Sequence, residues 1–260
     1  MHRRRVEEWR RVSPLYRDRP RRTLLGFDIY LNPEDFSPVS TSIGVDGVLD
    51  IPLTSLFLEK LGRGVRVVDV GANLGYFTLL ASRVVGPSGR VYAFEPDPYN
   101  ASLLEKSVAH NRADNVEVVR RAVCDRAGIV QLYHAPPGQP QAHSTMTDWG
   151  YSSLGVEATT LDGFWADADR PKIHMVKAHV VGDEPVVLRG SLRLLEEGRP
   201  MLAIVFDPPK WRGEARLLSR LFEWYRVYTL VHAPWLLREV TQDSLDWSYP
   251  QELYLEPRRN

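Results

Sequence analysis

Cysteine is nearly absent. Cys124 stands alone among 260 residues, which excludes an internal disulfide and any cysteine-rich metal site. Net charge is missing as well: the formal charge is zero at pH 7, so no global field draws in nucleic acid or an acidic partner. No apolar run approaches the ~18 residues needed to span a bilayer. The opening Met-His-Arg-Arg-Arg lacks the apolar segment of a signal peptide, so the expectation is a cytoplasmic chain without a membrane span. There is no internal repeat, and no linker marks a second domain.

What remains suits one α/β domain with decorations, at a length where a core is readily built. Three stretches are expected. Residues 1–22 form a basic arm or helix, 23–61 a β/α extension, and 62–260 the main domain, the last two making one globular unit. The arm holds nine arginines against Glu7, Glu8 and Asp18. It reads either as a membrane-surface or polyanion-binding segment, or as a solvated amphipathic helix with Val6, Trp9 and Val12 or Leu15 tucked against the domain. Strands are expected at 24–31, 115–119, 129–133, 156–160, 173–177, 201–206, 226–231 and 252–255, with helices between most of them. Alternation of strand and helix through residue 206 argues a parallel sheet with helices on both faces, and the late strands an antiparallel edge. Residues 134–155 lack periodicity, and a loop that long reads as a lid or acceptor wall, with Trp149 and Tyr151 available for stacking.

The chain is organised around Val65-Arg-Val-Val-Asp69-Val-Gly71-Ala-Asn73-Leu-Gly75-Tyr-Phe77. A β-branched run ends in a glycine-bearing turn, and helical apolar spacing follows at Leu74, Phe77, Ala81 and Val84. Such a strand–turn–helix junction opens at the carboxyl end of a sheet, where ligands bind. A dinucleotide turn wants glycines at the first, third and sixth places; counted from Gly71, the third is Asn73 and the sixth Tyr76. The spacing found, Gly-x-Asn-x-Gly with an aspartate two residues upstream, resembles the first motif of Rossmann-like S-adenosylmethionine-dependent methyltransferases. The next candidate strand ends at Glu95-Pro96, an acid placed to accept from both ribose hydroxyls of a nucleoside. Val123 offers apolar surface to an adenine ring. Asp125 is either a partner for its exocyclic amine or a turn acid before Gly128.

Val-Val-Asp69-Val-Gly-Ala-Asn-Leu-Gly75-Tyr-Phe-Thr78, Ala-Phe-Glu95-Pro96, Thr159-Thr-Leu-Asp162 and Lys177 to Glu184 stand in an order that resembles the FkbM family of methyltransferases, over roughly residues 24–255. The resemblance implies a seven-stranded class I methyltransferase sheet, S-adenosylmethionine as donor, and methylation of a hydroxyl on a sugar, glycan or small natural product. It implies that Asp69, Gly71, Asn73 and Gly75 line the methionine part of the donor and Glu95 its ribose. The departure falls in the fourth motif. The family pattern is Lys-Ile-Asp-Val-Glu-Gly-x-Glu; this chain keeps Lys177, Gly182 and Glu184, but carries His179 for the Asp and Val181 for the first Glu.

A sugar hydroxyl is a poor nucleophile until its proton leaves, so a base poised near neutral pH is useful. His179 is the candidate, an ordinary imidazole pKa being ~6.5. Its alternative is a histidine satisfied by a backbone carbonyl. Lys177 and Glu184 are further catalytic candidates, with Asp183 and Asp207 in reserve. His179, Asp183 and Asp207 are imaginable metal ligands, but nothing sets a ligand spacing and no metal is expected. Two other readings stand: a methyltransferase-fold protein that has lost catalysis and serves as a binding scaffold, and a nucleic-acid methyltransferase suggested by Asp207-Pro-Pro-Lys210. Lys210 in place of an aromatic ring argues against the latter. Nothing in the sequence sets an oligomeric state.

Overall fold

A computed structural model describes residues 2–136, 138–139, 142–232 and 235–258. Helix α1 (His2–Val12) buries Trp9, whose indole donates to Asp35 O at 2.8 Å, while Leu15 beyond it is 54% exposed. Strands β1 (Arg21–Arg22) and β2 (Asp28–Ile29) form a small antiparallel pair. The longer strand expected at 24–31 is not there, because Gly26 takes a positive φ and Thr23 closes a turn onto Phe27. Ser37 caps α2 (Pro38–Thr41) and Asp50 caps α3 (Ile51–Lys60), each accepting a backbone amide that the first turn leaves orphaned.

The organising junction is β3 (Arg66–Val70) running into α4 (Tyr76–Val85). It is followed by β4 (Arg90–Phe94), α5 (Pro98–His110) and β5 (Val116–Val119). Three strands, β6 (Ala122–Val123), β7 (Gly128–Tyr133) and β8 (Ser153–Thr159), then leave the main sheet to make one of their own. After α6 (Leu161–Asp167) the chain returns through β9 (Met175–Ala178), α7 (Glu184–Arg189), β10 (Met201–Phe206), α8 (Pro208–Trp211) and α9 (Ala215–Trp224). It closes with β11 (Tyr225–His232), β12 (Trp235–Val240) and β13 (Gln251–Pro257).

The main sheet has the order β12-β11-β13-β10-β9-β3-β4-β5, parallel from β10 to β5 and antiparallel at the other edge. Eight strands stand where seven were expected. The extra one is β12, where Arg238 and Glu239 are both exposed, so the alternation that announces a strand is missing and the ladder to β11 holds it. Apolar residues of β3 alternate between the two faces: Val68 and Val70 join the core under α6, α7 and α9, while Val67 joins the core shared with Trp9, α3 and α4. Chain order reverses between β3 and β9, since β4 and β5 continue to one side and β10 to the other. That reversal opens a crevice at the carboxyl ends, the position where open α/β sheets bind ligands. Among the described residues no single helix is long and apolar enough to cross a membrane.

Candidate active site

The crevice is a cavity of about 400 Å³, walled by the ends of β3, β4, β9 and β10. Its floor is the turn after β3. Gly71 and Gly75 have φ of 70° and 94°, a region closed to most side chains. A Cβ on Gly71 would collide with the His179 carbonyl, and one on Gly75 with Leu104. Asn73 shares the left-handed conformation at φ 52°, and its side-chain Oδ1 accepts the Leu74 amide.

Glu95 sits on the wall, 5% exposed, and accepts Asn73 N at 2.7 Å and Asp97 N at 3.0 Å, one on each oxygen. Burial raises its pKa to about 7 against those two hydrogen bonds. A carboxylate has about four acceptor positions, so each oxygen keeps room for a ligand hydroxyl. Gly71, Asn73, Glu95 and Val123 all line the cavity.

Asp69 does not. It lies beneath the turn, fully buried, with one oxygen accepting from Thr78 Oγ1 at 2.6 Å and the other from Lys177 Nζ at 2.8 Å. Lys177 also donates to Gly71 O at 2.9 Å. The pair therefore fastens the floor to β9, and Lys177 reaches the cavity wall with its protons already committed. Gly75 is also off the wall, as the cap residue of α4. Asp125 turns away and pairs with Arg189 at 3.0 Å, and the wall near Val123 is made by Val123, Ala122, Leu132 and His143.

His179 stands on the wall at the end of β9, its amide donating to Val70 O at 3.3 Å. Burial, and then the Lys177 charge, lower its pKa to about 4, against opposing pulls from Asp50 and Asp69. The imidazole is thus neutral at pH 7 but weaker as a base than an ordinary histidine. Glu184 is placed differently from its catalytic expectation: it is off the wall, fully buried, and accepts Val180 N at 3.0 Å and Gly182 N at 2.9 Å. Its carboxylate shapes the loop that carries His179, and burial lifts its pKa to about 7.

Part of the aperiodic stretch does reach the cavity. Pro137, Pro140 and Gln141 lie outside the described residues, but His143 and Thr145 are on the wall. Asp183 holds that segment down, accepting from Ser144 Oγ (2.9 Å), Thr145 N (2.7 Å) and Thr145 Oγ1 (2.8 Å). Lys210 lies across Gly182 and donates to Thr147 Oγ1 at 2.6 Å. Trp149 and Tyr151, 39% and 54% exposed, are not on the wall. His143 and Thr145 lie within the stretch expected as a wall, though not singled out there; Asn100, Val205 and Pro250 were missed from sequence. Asn100, one helical turn past Glu95-Pro96, carried a local signal; the others arrive from remote segments.

Among the described residues, one group brings three metal-ligating atoms within 4.8 Å: Asp97, His134 and His143. The Ala135 amide donates to His143 Nδ1 at 3.0 Å, which leaves the ring proton on Nε2, the nitrogen facing Asp97. That nitrogen is a donor here rather than a ligand. Asp183, imagined as a ligand beside His179, is spent on Ser144 and Thr145.

A family model described as the methyltransferase FkbM domain matches residues 69–226. A probable cobalt-precorrin-6B C(15)-methyltransferase (decarboxylating) of Sulfolobus acidocaldarius is 34% identical over 70 residues, 27% of this chain and 36% of that protein. A protein-L-isoaspartate O-methyltransferase of Methanothrix thermoacetophila is 32% identical over 62 residues, 24% of this chain and 30% of that protein. The match thus spans about a third of the length of these curated relatives. Among solved structures, a methyltransferase FkbM from Methylobacillus flagellatus KT superposes with a TM-score of 0.50 at 18% identity, over 75% of this chain and 44% of that one.

Proposed function

We propose that this chain, which belongs to the FkbM methyltransferase domain family and is an S-adenosylmethionine-dependent methyltransferase, methylates a hydroxyl oxygen of a sugar, glycan or small natural product. The cradle fits such a donor. Gly71 lets the turn pack directly against the His179 carbonyl while its backbone lines the cavity, Glu95 keeps acceptor positions for a ribose, and Val123 supplies apolar surface for a base. When bound, the donor supplies an electrophilic methyl carbon; alignment of the acceptor oxygen with it can contribute ~7–11 kcal/mol of the barrier.

The observation that carries the reading is His179, a neutral imidazole on the wall between the Glu95 side and the side formed by Val205, Asp207 and Pro250. It accepts the hydroxyl proton. A base with a pKa of about 4 suffices, because that proton becomes strongly acidic as the oxygen gains its third bond. Lys177 and Asp69 keep the floor rigid, and Glu184 keeps the His179 loop in register.

The test is transfer of labelled methyl to a panel of sugars, polyols and natural-product alcohols, by wild type and by His179→Ala. The variant should bind S-adenosylhomocysteine as wild type does and lose about 10²–10⁴-fold in turnover. Full turnover in the variant would remove His179 from the chemistry. One observation favours a second reading, a donor-binding protein without transfer. Val181 holds the place of an acid in the family pattern, and it is 41% exposed at φ 48°, a strained conformation for a β-branched residue. Binding without label transfer to any acceptor would support it, and transfer to RNA would support the nucleic-acid reading.

A further inference from the structure

Asp50 and Glu252 stand outside the matched residues 69–226, one before and one after, yet they meet beside His179. Register fixes where Glu252 lies. Ala178 pairs with Ile204 and Ile204 with Leu253, and all three point into one core. One residue along, side chains alternate to the opposite face, which sets His179 just past β9, Val205 on β10 and Glu252 on β13 in one row. Asp50, the cap of α3, closes on that row. Its Oδ1 accepts Leu53 N at 3.0 Å, its carboxylate is hydrogen-bonded with Glu252, and its charge reaches His179. Two carboxyl groups can bond each other only through a proton. Glu252 holds it, because burial and then Asp50 raise its pKa to about 9, and its buried Oε2 meets no donor. Asp50 is left as the negative member of the pair. It is kept at φ 43°, a conformation few residues other than glycine and asparagine adopt.

We propose that Asp50 is a positioning residue for His179, its carboxylate balancing the imidazolium that forms when His179 takes the acceptor's proton, with Glu252 as the protonated acid that holds Asp50 in place. The inference rests on His179 being the base. In the transfer, the hydroxyl proton passes to the His179 ring as its oxygen bonds the methyl carbon, and sulfur keeps the electron pair of the broken carbon–sulfur bond. The imidazolium so formed stands near the Lys177 ammonium, a like charge. Asp69 also faces it, but Asp69 is committed to Lys177 at 2.8 Å. Tyr76 faces Asp50 and stays neutral, since burial raises its pKa. Asp50 is therefore the acid that offsets the new charge. Neither Asp50 nor Glu252 is on the cavity wall, so both act through His179.

The experiment follows the His179 imidazole by NMR titration in the free protein, for wild type and Asp50→Asn, with labelled-methyl transfer to the alcohol panel. Asparagine keeps the cap and tolerates the left-handed backbone, so this change removes the charge alone. The onset of His179 titration below pH 6 should move down by about one unit and turnover should fall by up to about tenfold, with affinity for S-adenosylhomocysteine kept. Asp50→Ser, with another capping side chain, should reproduce both effects. Glu252 is tested by melting. Its pKa is raised above an ordinary 4.5, so the stability it lends is full below 4.5 and is lost as pH rises through about 9. From pH 7.5 to 9, beyond the range of Glu95 and Glu184, wild type should lose melting temperature more steeply than Glu252→Gln. An unmoved His179 titration in Asp50→Asn overturns the proposal, and so does an equal melting slope in Glu252→Gln. Full turnover in His179→Ala overturns the base reading itself. The titration needs no acceptor, which tells the two failures apart.

Discussion

The two sides of the cavity are built by different means. On the Glu95 side, the floor and wall come from two short continuous segments, 71–77 and 94–100, and the contacts are largely backbone amides meeting nearby carboxylates. On the other side, Leu49, Thr145, His179, Asp207 and Pro250 converge from five distant parts of the chain. A site made of main chain tolerates side-chain change everywhere except at its glycines and its acid. A site made of scattered side chains can be rewritten one residue at a time, as His179 and Val181 in place of two family acids illustrate.

The most disruptive way to break that contrast is to cut the tie between the two sides. Lys177→Met strands the buried Asp69 carboxylate and should cost about 3–5 kcal/mol of stability, read from urea unfolding. Adding Asp69→Asn should return much of the loss. A double variant as unstable as the sum of the singles would show that the pair does not act as a unit. Asp183→Ala is expected to be milder, about 1–3 kcal/mol, and confined to one side. It should release Ser144 and Thr145, so that proteolysis between residues 142 and 150 accelerates while the remaining fragments resist.

The smallest effect is a pH dependence of donor affinity that runs through Glu95. Because burial lifts Glu95 from an ordinary 4.5 to about 7, the free cavity takes up a proton near neutrality. Ribose hydroxyls need the carboxylate, so affinity for S-adenosylhomocysteine should weaken by at most about tenfold from pH 8 to pH 6; Glu95→Gln should flatten that profile. The stability sign is opposite. Between 4.5 and about 7 the folded state binds more protons than the unfolded one, so this contribution is full below 4.5 and is lost as pH rises through about 7. His179 adds no limb near 6.5, since its proton is already gone above about 4.

Legibility followed the same division. The β3 turn, the Glu95 wall and Val123 could be read from local signals: a β-branched run, glycines at fixed offsets, an acid at a strand end. The roles of Asp69, Glu184 and Asp125 could not. Asp69 finds Lys177 at a separation of 108 residues and Asp125 finds Arg189 at 64, and no local pattern says which partner a charged side chain will take. Glu184 caps a loop two to four residues away, a local event hidden by the family pattern that pointed to chemistry. The base strength expected of His179 also failed to carry over, because burial and Lys177 act only once the sheet is assembled.

The sequence by itself determined the alternation of strand and helix, the parallel sheet and the glycine turn that floors the cavity, since each depends on propensity, periodicity and backbone freedom within a dozen residues. Tertiary structure decided the eighth strand, the folding of residues 143–147 over the cavity, and the protonation of Glu95 and His179. Those depend on what lies across space from each group, and hydrogen-bond partners and desolvation exist only when distant segments have closed around it.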